Sequence, residues 1–172
     1  MKLLKNSQNL SLKKVILTTT IIFLVNLFTI GSLILPAWAI DYDKQTLTEE
    51  DFSHQDLTDA SFDHSNLSGS DFSYSNLVGV RFFGANLRSA NFENANLQLA
   101  DLETARLSNA NLTNAVLVGA YLTNALLDGV TIDGADFSDA LLDRNDEKIL
   151  CDIATGTNPT TGRNTRDTLF CF

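Results

Sequence analysis

The hydrophobic residues of this chain recur at every fifth position along more than half of its length. From residue 47 to residue 142 each fifth residue is Leu, Phe or Ile, and from Phe62 onward Ala, or less often Ser or Val, stands two positions before it. A period of five fits neither the 3.6-residue repeat of an α-helix nor the two-residue repeat of a β-strand. The pattern predicts a chain that bends by about 90° after each pentad, so that four pentads form one coil and coils stack roughly 4.8 Å apart.

The Phe residues support a four-sided coil independently. Phe52, Phe72 and Phe92 are 20 residues apart, which places them above one another on a single wall. Phe62 and Phe82 are offset from them by ten residues and therefore belong to the opposite wall. The sequence thus predicts an all-β fold, a four-sided β-helix in residues 40–144 with its Leu and Phe side chains on the axis.

The pentads resemble those of the pentapeptide-repeat family, whose pattern is A-(D/N)-(L/F)-x-x. Residues 90–114, ANFEN ANLQL ADLET ARLSN ANLTN, fit this pattern, and the resemblance covers residues 45–144. It implies a right-handed quadrilateral β-helix, a solenoid of about five coils, in a family without a general biochemical activity. The tail with its two Cys residues is similar to the C-terminal caps of exported family members from cyanobacteria and from the chloroplast thylakoid lumen.

Residues 1–39 have the three parts of a signal peptide. Four Lys residues precede an apolar stretch from Val15 to Leu35, and Ala37 and Ala39 place small residues at the expected cleavage site. We expect cleavage after Ala39 and export of residues 40–172 to the thylakoid lumen or the periplasm. The apolar stretch is about 21 residues long, enough to span a bilayer, so an uncleaved N-terminal membrane anchor is the alternative.

Residues 145–172 are expected to close the end of the coil stack as a helical cap with a disulfide. The segment 143–154 reads as a short amphipathic helix, and a second short helix is expected to end near Cys171. Cys151 and Cys171 are the only cysteines, and in an exported chain a lone pair predicts one disulfide. The disulfide either staples the cap or acts as the switch of a redox-regulated lumenal protein. The apolar residues expected to cover the last coil are Leu142, Ile149, Leu150 and Ile153.

The charge of the chain bears on its partners. All 21 acidic residues lie at or after Asp41, where only eight of the 12 basic residues are found. Such a surface repels nucleic acid and anionic lipid, so we expect no nucleic-acid partner, and membrane contact only during export or through an uncleaved anchor. The acidic surface would also suit a DNA-mimicking topoisomerase inhibitor, a function of some family members. The export signal argues against that alternative, because the target is cytoplasmic.

The sequence contains no recognisable catalytic, cofactor or metal-binding motif. It has no phosphate loop, no Gly-x-Ser-x-Gly elbow and no metalloprotease helix. His54 and His64 are ten residues apart, which places them on opposite walls, too far apart to share a metal ion. We therefore predict an exported structural or protein-interaction module that is not an enzyme and needs no cofactor.

A set of apolar residues at outward positions predicts an interaction face. Four of them lie on the wall whose central residues are Leu77, Leu97 and Leu117, and the fifth lies on the next wall. Contiguous exposed apolar area often marks a partner site, so we expect another protein, or weak self-association, to use this face. The alternative is that these residues are present only because β-branched and apolar residues favour β-structure, and that they form no binding face. The five residues are Val78, Leu99, Val116, Val118 and Tyr121.

Overall fold

The computed structural model describes residues 40–171, a stack of coils followed by two short helices. Parallel β-bridges join residues 20 apart, from the pair Asp41 and Ser61 to the pair Tyr121 and Leu141. Four pentads therefore complete each coil, in agreement with the five-residue pattern. Each bridge is a single residue pair and not an extended strand, because the chain turns a corner after every pentad. The predicted signal peptide lies outside the described residues.

Each corner is a β-turn that begins at the central apolar residue. The carbonyl of Leu57, for example, accepts a hydrogen bond from the amide of Ala60 at 3.0 Å. The third residue of every such turn, from Lys44 to Asp139, has a positive φ. A type II turn requires this left-handed backbone at its third residue. Most of these positions are Gly, Asn, Asp or His, the residue types that tolerate the conformation best.

The central residues point to the axis, where their side chains stack in columns. Phe72 stacks on Phe52 and Phe92 with ring centroids 4.9 and 5.1 Å apart. Phe62 and Phe82 form a second column whose rings meet the first edge to face, with centroids 5.4 to 5.9 Å apart. The Ala residues two positions before the central residues are also buried, except Ala140 in the last pentad, which is half-buried. The predicted placement of the Phe residues on opposite walls is therefore confirmed.

The first coil begins one pentad earlier than the Leu and Phe pattern indicates. Tyr42 takes the central position, and its ring stacks on that of Phe62 with centroids 4.7 Å apart. Its amide donates to the carbonyl of Ser61 at 2.7 Å, as the central residues of later coils do. Tyr42 is only half-buried. A tyrosine is compatible with this terminal position because its hydroxyl does not need a partner inside the core.

Side-chain amides reinforce the stacking of the coils. Asn91 donates from its Nδ2 to the Oδ1 of Asp71, and Asn111 donates to Asn91 in the same way, both at 3.0 Å. The Oδ1 of Asp71 also accepts the amide of Ser73 at 2.8 Å, which is an Asx turn. An Asp or Asn at this position thus stabilises the turn in its own pentad and also bonds to the equivalent side chain of the next coil. This explains why Asp or Asn so often precedes the central residue.

Two helices follow the last coil: α1, Arg144–Ile153, and α2, Thr165–Thr168. The side chain of Asn164 caps α2 by accepting the amide of Arg166 at 3.1 Å. Among the described residues, neither helix has the length and apolarity needed to cross a membrane.

The residues of the cap that cover the last coil differ in part from those that the sequence indicates. Leu150 of α1 is buried in the core together with Ala154 and Leu169. The expectation that Ile149 and Ile153 also cover the coil is wrong, because their side chains are 57% and 46% exposed. Leu150 is the one residue of α1 that is buried in the core, Cys151 beside it packs against the core in part, and Leu169, which follows α2, provides further cover.

We expect Leu97→Ala to lower the free energy of unfolding by about 2–5 kcal/mol, because it empties a core site between two coils. Leu97 is fully buried. Gln98→Ala, one residue away at an outward position, is the control and should change stability by less than about 0.5 kcal/mol. Urea unfolding followed by circular dichroism measures both, and equal losses would contradict an axial position for Leu97.

Candidate functional site

The wall centred on Leu77, Leu97 and Leu117 differs from the other three walls in charge. In three successive coils, residues 75–79, 95–99 and 115–119, it has no Asp, Glu, Lys or Arg. On the other three walls, an uncharged coil is always followed and preceded by a coil that carries a charged residue. We call the outward residues of these three coils the neutral wall: Asn76, Val78, Gly79, Asn96, Gln98, Leu99, Val116, Val118 and Gly119.

The five residues predicted to form an interaction face have different exposures. Leu99 is 59% exposed, and Val78 and Val118 are half-buried. Tyr121 is exposed but lies on the next wall, and Val116 is only 4% exposed. The accessible apolar part of the neutral wall therefore consists of Leu99 with Val78 and Val118 beside it.

Val116, expected at an outward position, is buried. The C-terminal segment packs against this part of the wall, where the Nδ2 of Asn158 donates to the carbonyls of Ala115 and Gly134 at 3.2 and 2.9 Å. A segment more than 40 residues later in the chain thus decides the exposure of Val116. Its burial removes Val116 from the surface that a partner can reach.

Leu99 occupies one of the left-handed corners, with φ at 57°. For an L-residue with a bulky side chain this conformation costs roughly 1–2 kcal/mol. The corners one coil before and one coil after are Gly79 and Gly119, and a Cβ on Gly119 would lie 2.9 Å from the Cδ2 of Leu99. Leu99 is thus an apolar projection that covers Gly119, while the carboxylate of Asp59 covers Gly79. The fold gains little from a strained side chain that stays mostly exposed.

Amide side chains supply the polar part of the neutral wall. Asn96 donates to the Oδ1 of Asn76 at 3.4 Å, and Gln98 donates to the Oδ1 of Asn96 at 3.0 Å. Each amide nitrogen carries two N–H groups, so Asn96 and Gln98 each keep a donor for a partner. The wall therefore offers apolar contact and uncharged hydrogen bonds.

A second set of exposed apolar residues lies closer to the C-terminal end of the stack. Tyr121 and Leu141 are bridge partners, 42% and 52% exposed. Leu126, one corner further along the chain from Tyr121, is 49% exposed. Tyr121 thus groups with these residues and not with the neutral wall.

The other walls carry most of the acidic residues of the repeat region, and the same wall carries Asp56 and Asp59 in the coil before the neutral wall and Asp136 and Asp139 in the coil after it. Burial raises the pKa of Asp63, and the negative charge of the neighbouring Asp43 raises this pKa further. The guanidinium of Arg81, which pairs with the Asp63 carboxyl group, opposes the rise without cancelling it. Asp63 thus lies in a region already crowded with negative charge. A second acidic molecule would meet repulsion here that the neutral wall does not present.

An ion pair ties the C-terminal segment to the last coil. Burial alone would raise the pKa of Asp136, but hydrogen bonds from Ser138 and Thr161 and the guanidinium of Arg163 hold that pKa below its usual value. The Nη1 of Arg163 lies 3.4 Å from the Oδ2 of Asp136, whose side chain is fully buried. The carboxylate is therefore charged in the folded protein and holds the segment in place.

Asn158 is a buried anchor that the sequence analysis missed. Its side chain is fully buried, and the sequence indicates only a turn at residues 158–162. An Asn before Pro is an ordinary turn signal, so no local pattern reveals its second role. The groups that its amide contacts are the carbonyls of Asn114, Ala115 and Gly134 and the amides of Thr160 and Thr161.

Cys151 and Cys171 form a disulfide, as expected, with their Cα atoms 5.5 Å apart. It joins α1 to the chain beyond α2, and both residues are half-buried. A groove bordered by Arg144, Lys148 and Phe170 runs beside it. The disulfide itself is compatible with both hypotheses, a staple and a redox switch.

The two histidines lie on different walls and contact aromatic rings. His54 stacks on Tyr74 with ring centroids 5.1 Å apart, and His64 meets Phe83 edge to face at 5.5 Å. Within residues 40–171, no group of three His, Cys, Asp or Glu side chains is placed to hold a metal ion. The absence of an enzymatic activity and of a cofactor stays a prediction.

Comparison with known proteins gives matches to one family. The family model described as pentapeptide repeats matches residues 44–73, 65–104 and 105–144. The crystal structure of a pentapeptide repeat protein from the Arabidopsis thaliana thylakoid lumen is similar with a TM-score of 0.74 and 41% identity, over 76% of this chain and 90% of that one. Similarity to this family implies the right-handed sense of the β-helix.

Two chloroplast proteins of Arabidopsis thaliana match shorter segments. Thylakoid lumenal protein TL20.3 is 58% identical over 40 residues, 23% of this chain and 14% of that protein. Thylakoid lumenal 15 kDa protein 1 is 56% identical over 41 residues, 23% of this chain and 18% of that protein. The matched segments thus span less than a fifth of either relative.

We expect the double variant Cys151→Ser/Cys171→Ser to destabilise the cap by roughly 3 kcal/mol, the loop-entropy contribution of a disulfide that closes a loop of this size. Hydrogen exchange should accelerate at the amides of Leu150 and Leu169, while that of Leu97 in the central coils serves as the control. Reductant should have the same effect on the native chain and none on the variant. Unchanged exchange after reduction would contradict a stapling role.

Proposed function

The chain belongs to the pentapeptide-repeat family, and from that membership we propose that it is an exported, non-catalytic binding module that holds a protein partner against its neutral wall. Family members with thylakoid-lumenal names and no indicated catalytic role are the background to this proposal. The coil stack serves as a rigid scaffold, and the outward residues of one wall carry the recognition.

Three features support export to a thylakoid lumen or a comparable compartment. The predicted signal peptide precedes the first coil, the cap carries a disulfide, and the similar chloroplast proteins are lumenal by name. Disulfides persist mainly in compartments outside the reducing cytosol. We therefore place the working form of the chain, residues 40–172, in the lumen.

The observation that carries the binding function is the exposed and strained Leu99 on the neutral wall. Tyr74 occupies an equivalent corner with the same exposure, so the backbone conformation alone does not distinguish Leu99; its distinction is that it projects from three successive coils that contain no charged residue. Val78 and Val118 extend the apolar contact along the wall, and the free donors of Asn96 and Gln98 add uncharged hydrogen bonds. A partner with an apolar, uncharged surface suits this combination.

The DNA-mimicking alternative has weaker support. A duplex mimic presents continuous negative charge, whereas the neutral wall interrupts it over three coils and Arg81, Arg88 and Arg106 interrupt it on other walls. An exported chain would also be separated from a cytoplasmic topoisomerase. We therefore do not propose inhibition of such an enzyme as the function.

The test is affinity capture in the compartment of the protein, with native chain and the double variant Val78→Asp/Val118→Asp. Two carboxylates on the neutral wall should abolish recovery of the partner, because the interface would have to bury unpaired charge. Bound proteins are identified and quantified by mass spectrometry.

The matched control is Ser68→Asp/Ser108→Asp, which adds the same charge at the equivalent, half-buried positions of another wall. This control should retain the partner at the native level. Equal recovery with both double variants would refute a binding role for the neutral wall.

A further inference from the structure

We propose that the open edge of the first coil, residues 40–59, binds an extended, cationic polypeptide segment that pairs with it as a further layer of the stack. The inference goes beyond the proposed function, since it concerns a different surface and a different class of partner. It shares with that function only the expected cleavage after Ala39, without which residues 1–39 would precede this edge.

The edge of the first coil repeats the backbone groups by which later coils pair with the coil before them. On one wall, the amide of Asn76 donates to the first coil at 2.9 Å, and the carbonyls of Asn76 and Val78 accept from it at 2.8 and 3.0 Å. One amide and two carbonyls thus face the preceding coil, and the same pattern recurs on all four walls. In the first coil the equivalent groups of this wall belong to Asp56 and Thr58, and no backbone group in the described part of the chain pairs with them. Such an edge is a template for another extended chain.

Hydrogen-bond acceptors outnumber donors at this edge. The backbone of each wall presents two carbonyls for one amide, and the side chains at the bridging position, directly before the central residue, follow the same trend. In the second coil the Nδ2 of Asn76 donates from this position to the Oδ1 of Asp56 at 3.0 Å. In the first coil three of the four bridging residues are Asp, whose carboxylates accept but do not donate. The four residues are Asp41, Thr46, Asp51 and Asp56. A partner must therefore bring hydrogen-bond donors.

The charge of the first coil selects a cationic partner. Residues 40–59 hold seven carboxylates against a single lysine. Hydrogen bonds from Ser53 hold the pKa of Asp51 below its usual value, and those from Thr58 do the same for Asp56. Both carboxylates therefore stay charged in a weakly acidic compartment. Lys and Arg side chains complement them, whereas an acidic segment or the same end of a second copy would be repelled.

The axis of the stack does not need an apolar cap at this end. Phe52 and Leu57 are already buried in the first coil, and the ring of Tyr42 packs edge to face on Phe52 with centroids 5.7 Å apart. At the other end, by contrast, the cap buries Leu150 in the core. The first coil therefore offers hydrogen bonds and charge, with only the half-buried Tyr42 and Leu47 as apolar contacts. An extended polar segment suits this end better than an amphipathic helix.

The experiment is isothermal titration calorimetry on the protein isolated from its compartment, with a synthetic peptide of alternating Lys and Thr residues as the probe. Two further peptides separate charge from backbone pairing: one has Glu in place of Lys, and the other keeps Lys but has every backbone amide N-methylated. Both should bind roughly ten-fold more weakly than the Lys-Thr peptide, because the first lacks the positive charge and the second cannot donate to the carbonyls of the edge. Added salt should weaken binding of the Lys-Thr peptide.

The variant that locates the site is Asp41→Asn/Asp51→Asn/Asp56→Asn. Asn can keep the turns of the first coil, because the Oδ1 of Asn111 accepts the amide of Thr113 at 3.0 Å in the equivalent turn of a later coil. This variant should therefore melt like the native protein. It should bind the Lys-Thr peptide roughly ten-fold more weakly, the combined effect of three lost exposed ion pairs.

The matched control is Asp101→Asn/Glu103→Gln/Asp139→Asn, which removes the same charge from coils further along the stack. It should bind the Lys-Thr peptide like the native protein. In the native protein, binding should slow the hydrogen exchange of bridging-position amides of the first coil, such as that of Asp56. The exchange of the Leu97 amide in the central coils should stay unchanged.

Several results would overturn the proposal. Absence of binding by the native protein would do so directly, and equal binding of the N-methylated peptide would leave charge alone as the cause. Equal losses in the two triple variants would place the site elsewhere on the chain. Self-association of the native protein that the first-coil variant abolishes would identify a second copy as the occupant of the edge.

The outcomes also separate this inference from the proposed function. If N-terminal sequencing of the isolated protein finds residues 1–39 retained, the edge is not open in the working form and the proposal fails, while the binding role of the neutral wall stands. The triple variants leave the neutral wall unchanged, so each of the two proposals can fail without the other.

Discussion

A left-handed residue at the corner of every pentad is the constraint on which this structure depends. Every fifth residue from Lys44 to Asp139 has a positive φ, whatever its side chain. This turn brings residues 20 apart into register, so that backbone hydrogen bonds such as that from the Phe52 amide to the Asp71 carbonyl, at 2.7 Å, can form between coils. The Leu and Phe columns stabilise the arrangement, but the corner determines which residues become neighbours.

The same constraint separates the surface from the core. Central residues point inward and corner residues point away from the axis, so a wall can change its chemistry without disturbing the columns on the axis. This separation allows three successive coils of one wall to lack charge in an otherwise acidic chain. It also makes Leu99 informative, because its side chain contributes little to the core and occupies an unfavourable conformation. We propose that it serves the recognition of a partner.

The regular part of the fold follows from the sequence because each pentad repeats the same local rule. Phe52 and Phe72 could be placed on one wall from their spacing alone, and the pairing of Cys151 with Cys171 followed from their number. Tyr42 was missed because the pattern was defined by Leu, Phe and Ile. At the end of the stack, however, a half-buried tyrosine is compatible with the central position.

The features that the sequence did not reveal depend on contacts between distant segments. Val116 has an outward position in its pentad and is nevertheless buried, since the segment around Asn158 returns to this wall. Ile149 and Ile153 fit an amphipathic helix but stay exposed, whereas Leu150 of the same helix and Leu169 from beyond α2 are buried in the core. Local periodicity contains no information about which residues of the C-terminal segment pack against the coils.

The most direct test of this account is an NMR measurement of scalar couplings across backbone hydrogen bonds in the central coils. The amide nitrogen of Leu97 lies 2.8 Å from the carbonyl oxygen of Val116. The account predicts a coupling between the Leu97 nitrogen and the Val116 carbonyl carbon, and equivalent couplings from the other central residues to carbonyls 19 positions later. Couplings to carbonyls four positions earlier, as in an α-helix, would contradict it.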